Sequence, residues 1–198
     1  MSEQIQPFDR SFFTRDSRRL ARDLLGHILL TEFNGIRTAG YITEAEAYRQ
    51  EEPASHCHRG KTRRNAAMFL TGGHIYVYFI YGMHHCVNIV AGSPDYGEAV
   101  LLRAIMPAEG LDHMRERRGR KVRDKDLANG PGKLTRALGI GPEHDCLDLL
   151  DPDSPIRLLP GTPVPDSNVR QTPRIGITKA VDLPWRWEVV DPATTLSP

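Results

Sequence analysis

Two glutamates two residues apart, followed at the same interval by a tyrosine, have types and spacing suited to chemistry. They are Glu44, Glu46 and Tyr48, in the stretch YITEAEAYRQEEPASHCH at 41–58. An ionised carboxylate can take a proton or stabilise a developing positive charge, and an aromatic face can hold a planar or cationic group. His56, further along the same stretch, adds a ring with one donor and one acceptor when neutral. Glutamate is a poor strand residue. Two of them on one face, ending at an aromatic, do not look like a plain core strand; a strand end that has run out into solvent is the other reading of the same spacing.

The elements that must position this group are legible on either side of it. Asn34-Gly35 is a strong signal for a two-residue hairpin turn, here joining 27–33 to 36–48. Strict alternation along the second strand puts Ile36, Thr38, Gly40, Ile42, Glu44, Glu46 and Tyr48 on one face. A polar arm of about ten residues and a helix at 17–25 precede the hairpin, with Asp16 as N-cap, Leu20, Leu24 and Leu25 as the buried stripe and Gly26 as the stop. Residues 49–69 read as loop, with a helical turn before Met68.

A second hairpin follows, 74–80 with 85–91, its turn at 81–84 and Tyr81 at the tip. There a large apolar group is costly to expose unless a partner covers it. Further strands are expected at 98–105, 156–159, 174–178 and 185–190, and helices at 109–118 and 133–138. No linker separates domains. The expectation is a single α+β domain over 1–198, a largely antiparallel sheet with helices around it and a protruding hairpin, flanked by flexible arms at 1–10 and 189–198.

The apolar content of 39% is enough for an ordinary core, and the longest apolar run, 75–83, is far short of the ~20 residues that span a membrane. The N-terminus has no secretory h-region. Three scattered cysteines fit free thiols in a reducing compartment, and a cytoplasmic location is expected. The net charge of +1 hides an asymmetry: 1–136 carry +5 and 137–198 carry −4. Arg59, Lys61, Arg63 and Arg64 run without an acid between them, and 115–125 holds seven basic residues. Such runs are either solvated surface or a phosphate-contacting face.

Neither His56-Cys57-His58 nor His84-His85-Cys86 has metal-site spacing, because adjacent residues on an extended chain point opposite ways; no metal is expected. The segment GPGK at 130–133 is not a P-loop. It can still aim helix N-terminal N–H groups, with Lys133 alongside, at a phosphate, or simply enter a helix.

Taken together, EAEAY at 44–48, His56, RRNAAMF at 63–69, GHIYVY at 73–78, YGMH at 81–84, CVN at 86–88, LLRA at 101–104, Pro107, Gly110, GPGKL at 130–134 and RIGI at 174–177 form one colinear series. This series resembles the alkyladenine (3-methyladenine) DNA glycosylase family over roughly residues 10 to 187. The chain departs from the family at its end, where Glu188 leads into a polar tail in place of an aromatic closing strand.

The resemblance implies a curved antiparallel sheet and a monofunctional hydrolase that flips alkylated or deaminated purines from duplex DNA and cleaves the N-glycosidic bond. It implies Glu46 as the base, Arg103 and the Ile175 main chain as water-positioning groups, and Tyr48, Tyr78 and His56 as the base-stacking set. It further implies Asn88 as a filter against guanine and Tyr81 as the wedge. Arg63, Arg64 and Lys133 are expected on the DNA backbone. No cofactor is implied, and the protein is expected to work as a monomer on nucleoid DNA. A non-catalytic damaged-DNA binder and a small-nucleoside hydrolase are the alternatives. Glu44, one pleat back from Glu46, is expected to sit deeper and to pair with a basic or main-chain donor.

Overall fold

The computed structural model describes residues 8–80 and 82–196. The chain is built around one long strand, β2 (Ile36–Arg49), which leaves the turn after β1 (Ile28–Phe33). Asn34 and Gly35 take φ of 53° and 76°, the left-handed pair that suits the turn to the twist of the flanking strands. The sheet runs β3 (Ile75–Ile80), β4 (His84–Val90), β5 (Glu98–Glu109), β2, β1, β6 (Ile156–Leu159), with antiparallel neighbours. A further pair, β7 (Val169–Thr172) and β8 (Arg186–Val189), joins through β8, which pairs with β2 at Glu44, Ala45 and Glu46. Thus the stretch that carries the carboxylates has neighbours on both sides, and the curled sheet has no edge there.

The helices are α1 (Arg10–Phe13), α2 (Ser17–Asp23), α3 (Leu111–Arg118), α4 (Pro131–Leu138) and α5 (Pro192–Thr195). Asp16 caps α2 by accepting from the Arg18 N–H. The α4 helix lays Leu134, Ala137 and Leu138 into the main core, and Thr135 Oγ1 donates to the His85 carbonyl at 2.8 Å. The inner faces of β3 and β4 (Ile75, Val77, Val87, Ile89) join that core, whereas Tyr76 and Val90 pack on the opposite face with Cys57, Met68 and Phe69. This second cluster anchors the long loop that carries His56. Between β4 and β5 pairing covers only Asn88, Ile89 and Val90, so the outer half of the β3–β4 hairpin stands clear of β5.

Three expectations are corrected. Strict alternation along β2 fails: the β2–β5 register slips between Ile42 and Glu44 and again between Glu44 and Ala45. Such irregularities re-aim side chains. Ile42 therefore lies in the core with Ala45 and Ala47 rather than on the face of Glu44 and Glu46, and Ile105 lies there with Val100 and Leu102.

Residues 174–178 form no strand. Pro173 offers no N–H, Arg174 turns into the protein, and Gly176 adopts φ of 80°. The closing segment is not a free arm from 189 onward: Val189 pairs with Val169, and Leu196 after α5 is fully buried. An apolar residue at each end of a polar stretch suffices to dock it. At the other end, Arg10 donates to the Gly72 carbonyl and pairs with Asp148.

Candidate active site

Glu46 projects from β2 opposite Leu101 of β5 and is 0% exposed. Its Oε1 accepts from the Ile175 N–H at 2.8 Å and forms an ion pair with Arg103, whose Nη1 is 3.2 Å away, and its Oε2 accepts from the Tyr48 hydroxyl at 2.9 Å. A carboxylate offers about four acceptor positions, so these two hydrogen bonds leave acceptor capacity for a water. Burial pushes the Glu46 carboxyl above the ordinary glutamate value, and Glu44 adds to the rise. The Arg103 charge, the Ile175 N–H and the Tyr48 hydroxyl act against it.

Glu44 accepts from Arg103 Nε at 2.7 Å and from Arg186 Nε at 2.6 Å. The expected basic partner is there, but the depth is reversed: the Glu44 side chain keeps 16% exposure and that of Glu46 none. The register slip turns Glu46 inward, beneath Tyr48 and the 174–175 segment.

In front of this cluster lies a cleft of about 660 Å³, walled by the β3–β4 hairpin, the start of α4, the loop at Pro53–His56 and residues 175–179. Tyr48, His56, Tyr76 and Tyr78 supply its aromatic surface. The His56 ring meets the Tyr78 ring edge-on at 4.6 Å between centroids, and its Nδ1 hydrogen-bonds the Tyr76 hydroxyl at 3.0 Å. Burial, with the Arg64 charge adding to it, holds His56 below the ordinary histidine value, so the ring stays neutral.

Tyr48 is backed by Arg174, whose guanidinium carbon stands 4.5 Å from the ring centroid. Arg174 donates to both oxygens of Glu52, at 2.7 and 3.0 Å, and to the Ala47 carbonyl at 3.0 Å. Asn88 donates from Nδ2 to the Tyr76 carbonyl at 3.1 Å, which fixes the side chain at the cleft wall. Cys86 lines the same wall as a free thiol.

Glu46, Tyr48, His56, Tyr78, Asn88, Arg103 and Ile175 thus converge from six separate stretches of chain. Lys133 reaches the cleft rim, exposed, with Nζ donating to Asn129 Oδ1 at 2.8 Å. Arg63 and Arg64 are exposed beside the cleft loop, and Tyr81 lies outside the described residues. Sequence reasoning missed Glu52, Arg174 as a ring support, and Arg186. Arg174 opens the RIGI motif, but Glu52 stands in a run that reads only as polar loop. The His56-Cys57-His58 triplet lies in turns rather than on extended chain, and its side chains have separate partners: Cys57 Sγ donates to the Gly97 carbonyl at 2.9 Å, and His58 Nδ1 hydrogen-bonds the Gln50 carbonyl at 3.2 Å.

The arrangement can stack a flat ring, shield it from water and present a buried carboxylate behind it. Residues 11–193 match the family model described as Methylpurine-DNA glycosylase (MPG). Three relatives each bear the name "Putative 3-methyladenine DNA glycosylase". One, from Methanoculleus marisnigri, is 48% identical over 178 residues, covering 89% of this chain and 92% of its own. Another, from Burkholderia lata, is 45% identical over 91% of this chain and 86% of its own. The third, from Carboxydothermus hydrogenoformans, is 44% identical over 90% and 92%.

Proposed function

The chain belongs to the methylpurine-DNA glycosylase family, and from that premise we propose that it rotates a damaged purine out of duplex DNA into the aromatic cleft. It is an N-glycosyl hydrolase acting on DNA that carries methylated purines. Extrusion is necessary because the glycosidic bond is not accessible to a protein group inside the stack, and it costs a few kcal/mol. Tyr81 is the wedge that offsets part of that cost. The purine lies among Tyr48, Tyr78 and His56. A ring-alkylated purine is cationic, and aromatic faces favour it by about 0.5–2 kcal/mol.

In the reaction the C1′–N bond breaks with its electron pair moving to the purine, and positive charge develops on the sugar. Ionised Glu46 stabilises that charge and takes a proton from the water whose oxygen bonds to C1′. Arg103 and the Ile175 main chain orient that water. Neutral purines such as hypoxanthine, the deaminated class, must be released without the help of a formal positive charge. Asn88 rejects guanine by crowding its 2-amino group. Arg63, Arg64 and Lys133 meet phosphates, and one copy suffices.

The observation that carries this reading is the carboxylate of Glu46, fully buried yet held by two hydrogen bonds and the Arg103 charge behind an aromatic cleft. Among the described residues no helix is long and apolar enough to cross a membrane. Because its substrate is chromosomal DNA, we place its work on the nucleoid in the cytoplasm.

The test is single-turnover base release from a panel of duplexes, each with one 3-methyladenine, 7-methylguanine, hypoxanthine or ethenoadenine. The corresponding free nucleosides are run alongside. Release from duplex and not from nucleoside is expected. Equal rates on the nucleosides would point to a small-substrate hydrolase instead.

A further inference from the structure

A second groove, of about 510 Å³, lies on the far side of the same hairpin. His84 and Gly132 line both it and the aromatic cleft, so the two share the seam where β4 meets α4. His85, Arg117 and Arg136 stand in its walls, and Met83 at its rim is 71% exposed.

The arginines around this groove are handled differently from their neighbours. Arg115 pairs with Asp112 and Asp124, and Arg123 pairs with Asp126. Arg117 Nη1 instead donates to the Ala137 carbonyl at 2.9 Å and to Thr38 Oγ1 at 3.3 Å. Arg118 Nε donates to the Leu127 carbonyl at 2.9 Å, and Arg136 Nε donates to the Arg117 carbonyl at 2.6 Å.

The acceptors, carbonyls at the ends of α3 (Arg117) and α4 (Ala137), the Leu127 carbonyl and the Thr38 hydroxyl, bring only partial negative charge. Burial lowers the proton affinity of Arg117 against a small opposing effect of Glu116, and Arg136 adds to the lowering at Arg118. Capping alone accounts for one N–H of Arg136 and leaves the rest of an exposed guanidinium beside a concave surface. A concave site with gathered positive charge and, among the described residues, no carboxylate paired to Arg117 or Arg136 suits a phosphate.

Resting on the reading of the chain as a glycosylase of duplex DNA, we propose that this groove holds the phosphodiester backbone of the undamaged strand, with Arg136 and Arg117 as its contacts. The cleft takes the lesion from the Tyr76–Tyr78 side of the hairpin. A hairpin tip set between the strands leaves the opposite strand to the other side, where the groove lies.

The probe is a duplex with a tetrahydrofuran abasic-site analogue, with neutral methylphosphonates at the phosphates facing the lesion on either the undamaged or the damaged strand. Arg136→Gln weakens binding several-fold and shallows the dependence of log affinity on log salt by about 0.9, one phosphate's worth. Arg136→Lys keeps the slope. Methylphosphonates on the undamaged strand weaken the wild type, and Arg136→Gln then adds nothing, because the two changes remove the same contact. On the damaged strand the two losses add. An unchanged slope in Arg136→Gln overturns the proposal, as does additivity on the undamaged strand. Failure of the underlying reading looks different: the wild type itself does not bind the abasic-analogue duplex.

Discussion

The hydroxyl of Tyr48 donates to Glu46 Oε2 at 2.9 Å, so the ring proposed to stack the purine also holds the carboxylate proposed to activate water. That hydrogen bond is one of the influences lowering the Glu46 pKa against the larger effect of burial. Tyr48→Phe keeps the ring and removes the donor. A carboxyl with a raised pKa is protonated, and lost as a base, at higher pH than an exposed glutamate. The acid limb of the wild-type excision rate therefore lies above the usual glutamate range, and in Tyr48→Phe it moves higher still. Lesion affinity changes little. A pH profile of single-turnover excision checks this, and a limb that stays in place means the hydroxyl does not tune the base.

Glu46 and Glu44 separate by their partners. Glu46→Gln keeps shape and lesion binding and loses base release by a factor of at least about 100, in the range general-base catalysis contributes. Glu44 is held between Arg103 and Arg186. Its change to Gln weakens that pairing, lowering stability or part of the rate while chemistry persists. Near wild-type release by Glu46→Gln, with Glu44→Gln folded and inactive, would reverse the assignment.

Asn88 is anchored through Nδ2 to the Tyr76 carbonyl. Asn88→Ala or Asn88→Ser opens the wall at that point, so release of guanine from undamaged duplex rises above the wild-type background. Counting released bases by chromatography measures it directly. No gain on guanine would move the discrimination elsewhere in the cleft.

Arg174 and Glu52 form an ion pair with side-chain exposures of 0% and 4%. Removing one partner of such a pair leaves the other charged and buried, a loss of about 3–5 kcal/mol. Arg174→Ala and Glu52→Ala are each expected to show it in urea unfolding at neutral pH. The double variant should lose less than the sum, since both remove one interaction. Additive losses would mean the two residues stabilise the fold independently.

Local signals carried most of the scaffold. Asn34-Gly35 specifies its turn because the left-handed backbone there suits few other residues. Asp16 caps α2 because a carboxylate oxygen reaches the next free N–H, and alternation along β3 puts Tyr76 and Tyr78 on the face opposite Ile75 and Val77. The EAEAY stretch, His56, Arg103 and RIGI were recognisable as a set from the chain alone.

What the sequence could not decide depends on contacts between distant segments. A strand's alternation says which residues share a face only while its register with the neighbour holds, and the slip beside Glu44 is a property of the β2–β5 pair. The depth of Glu46 comes from Tyr48 and the 174–175 segment closing over it, and the Glu52–Arg174 pair joins residues 122 apart. The groove beside Arg117 and Arg136 exists only because α4 packs against β4. Burial and pairing set the energy of a charge, and both are fixed by what the fold brings beside it.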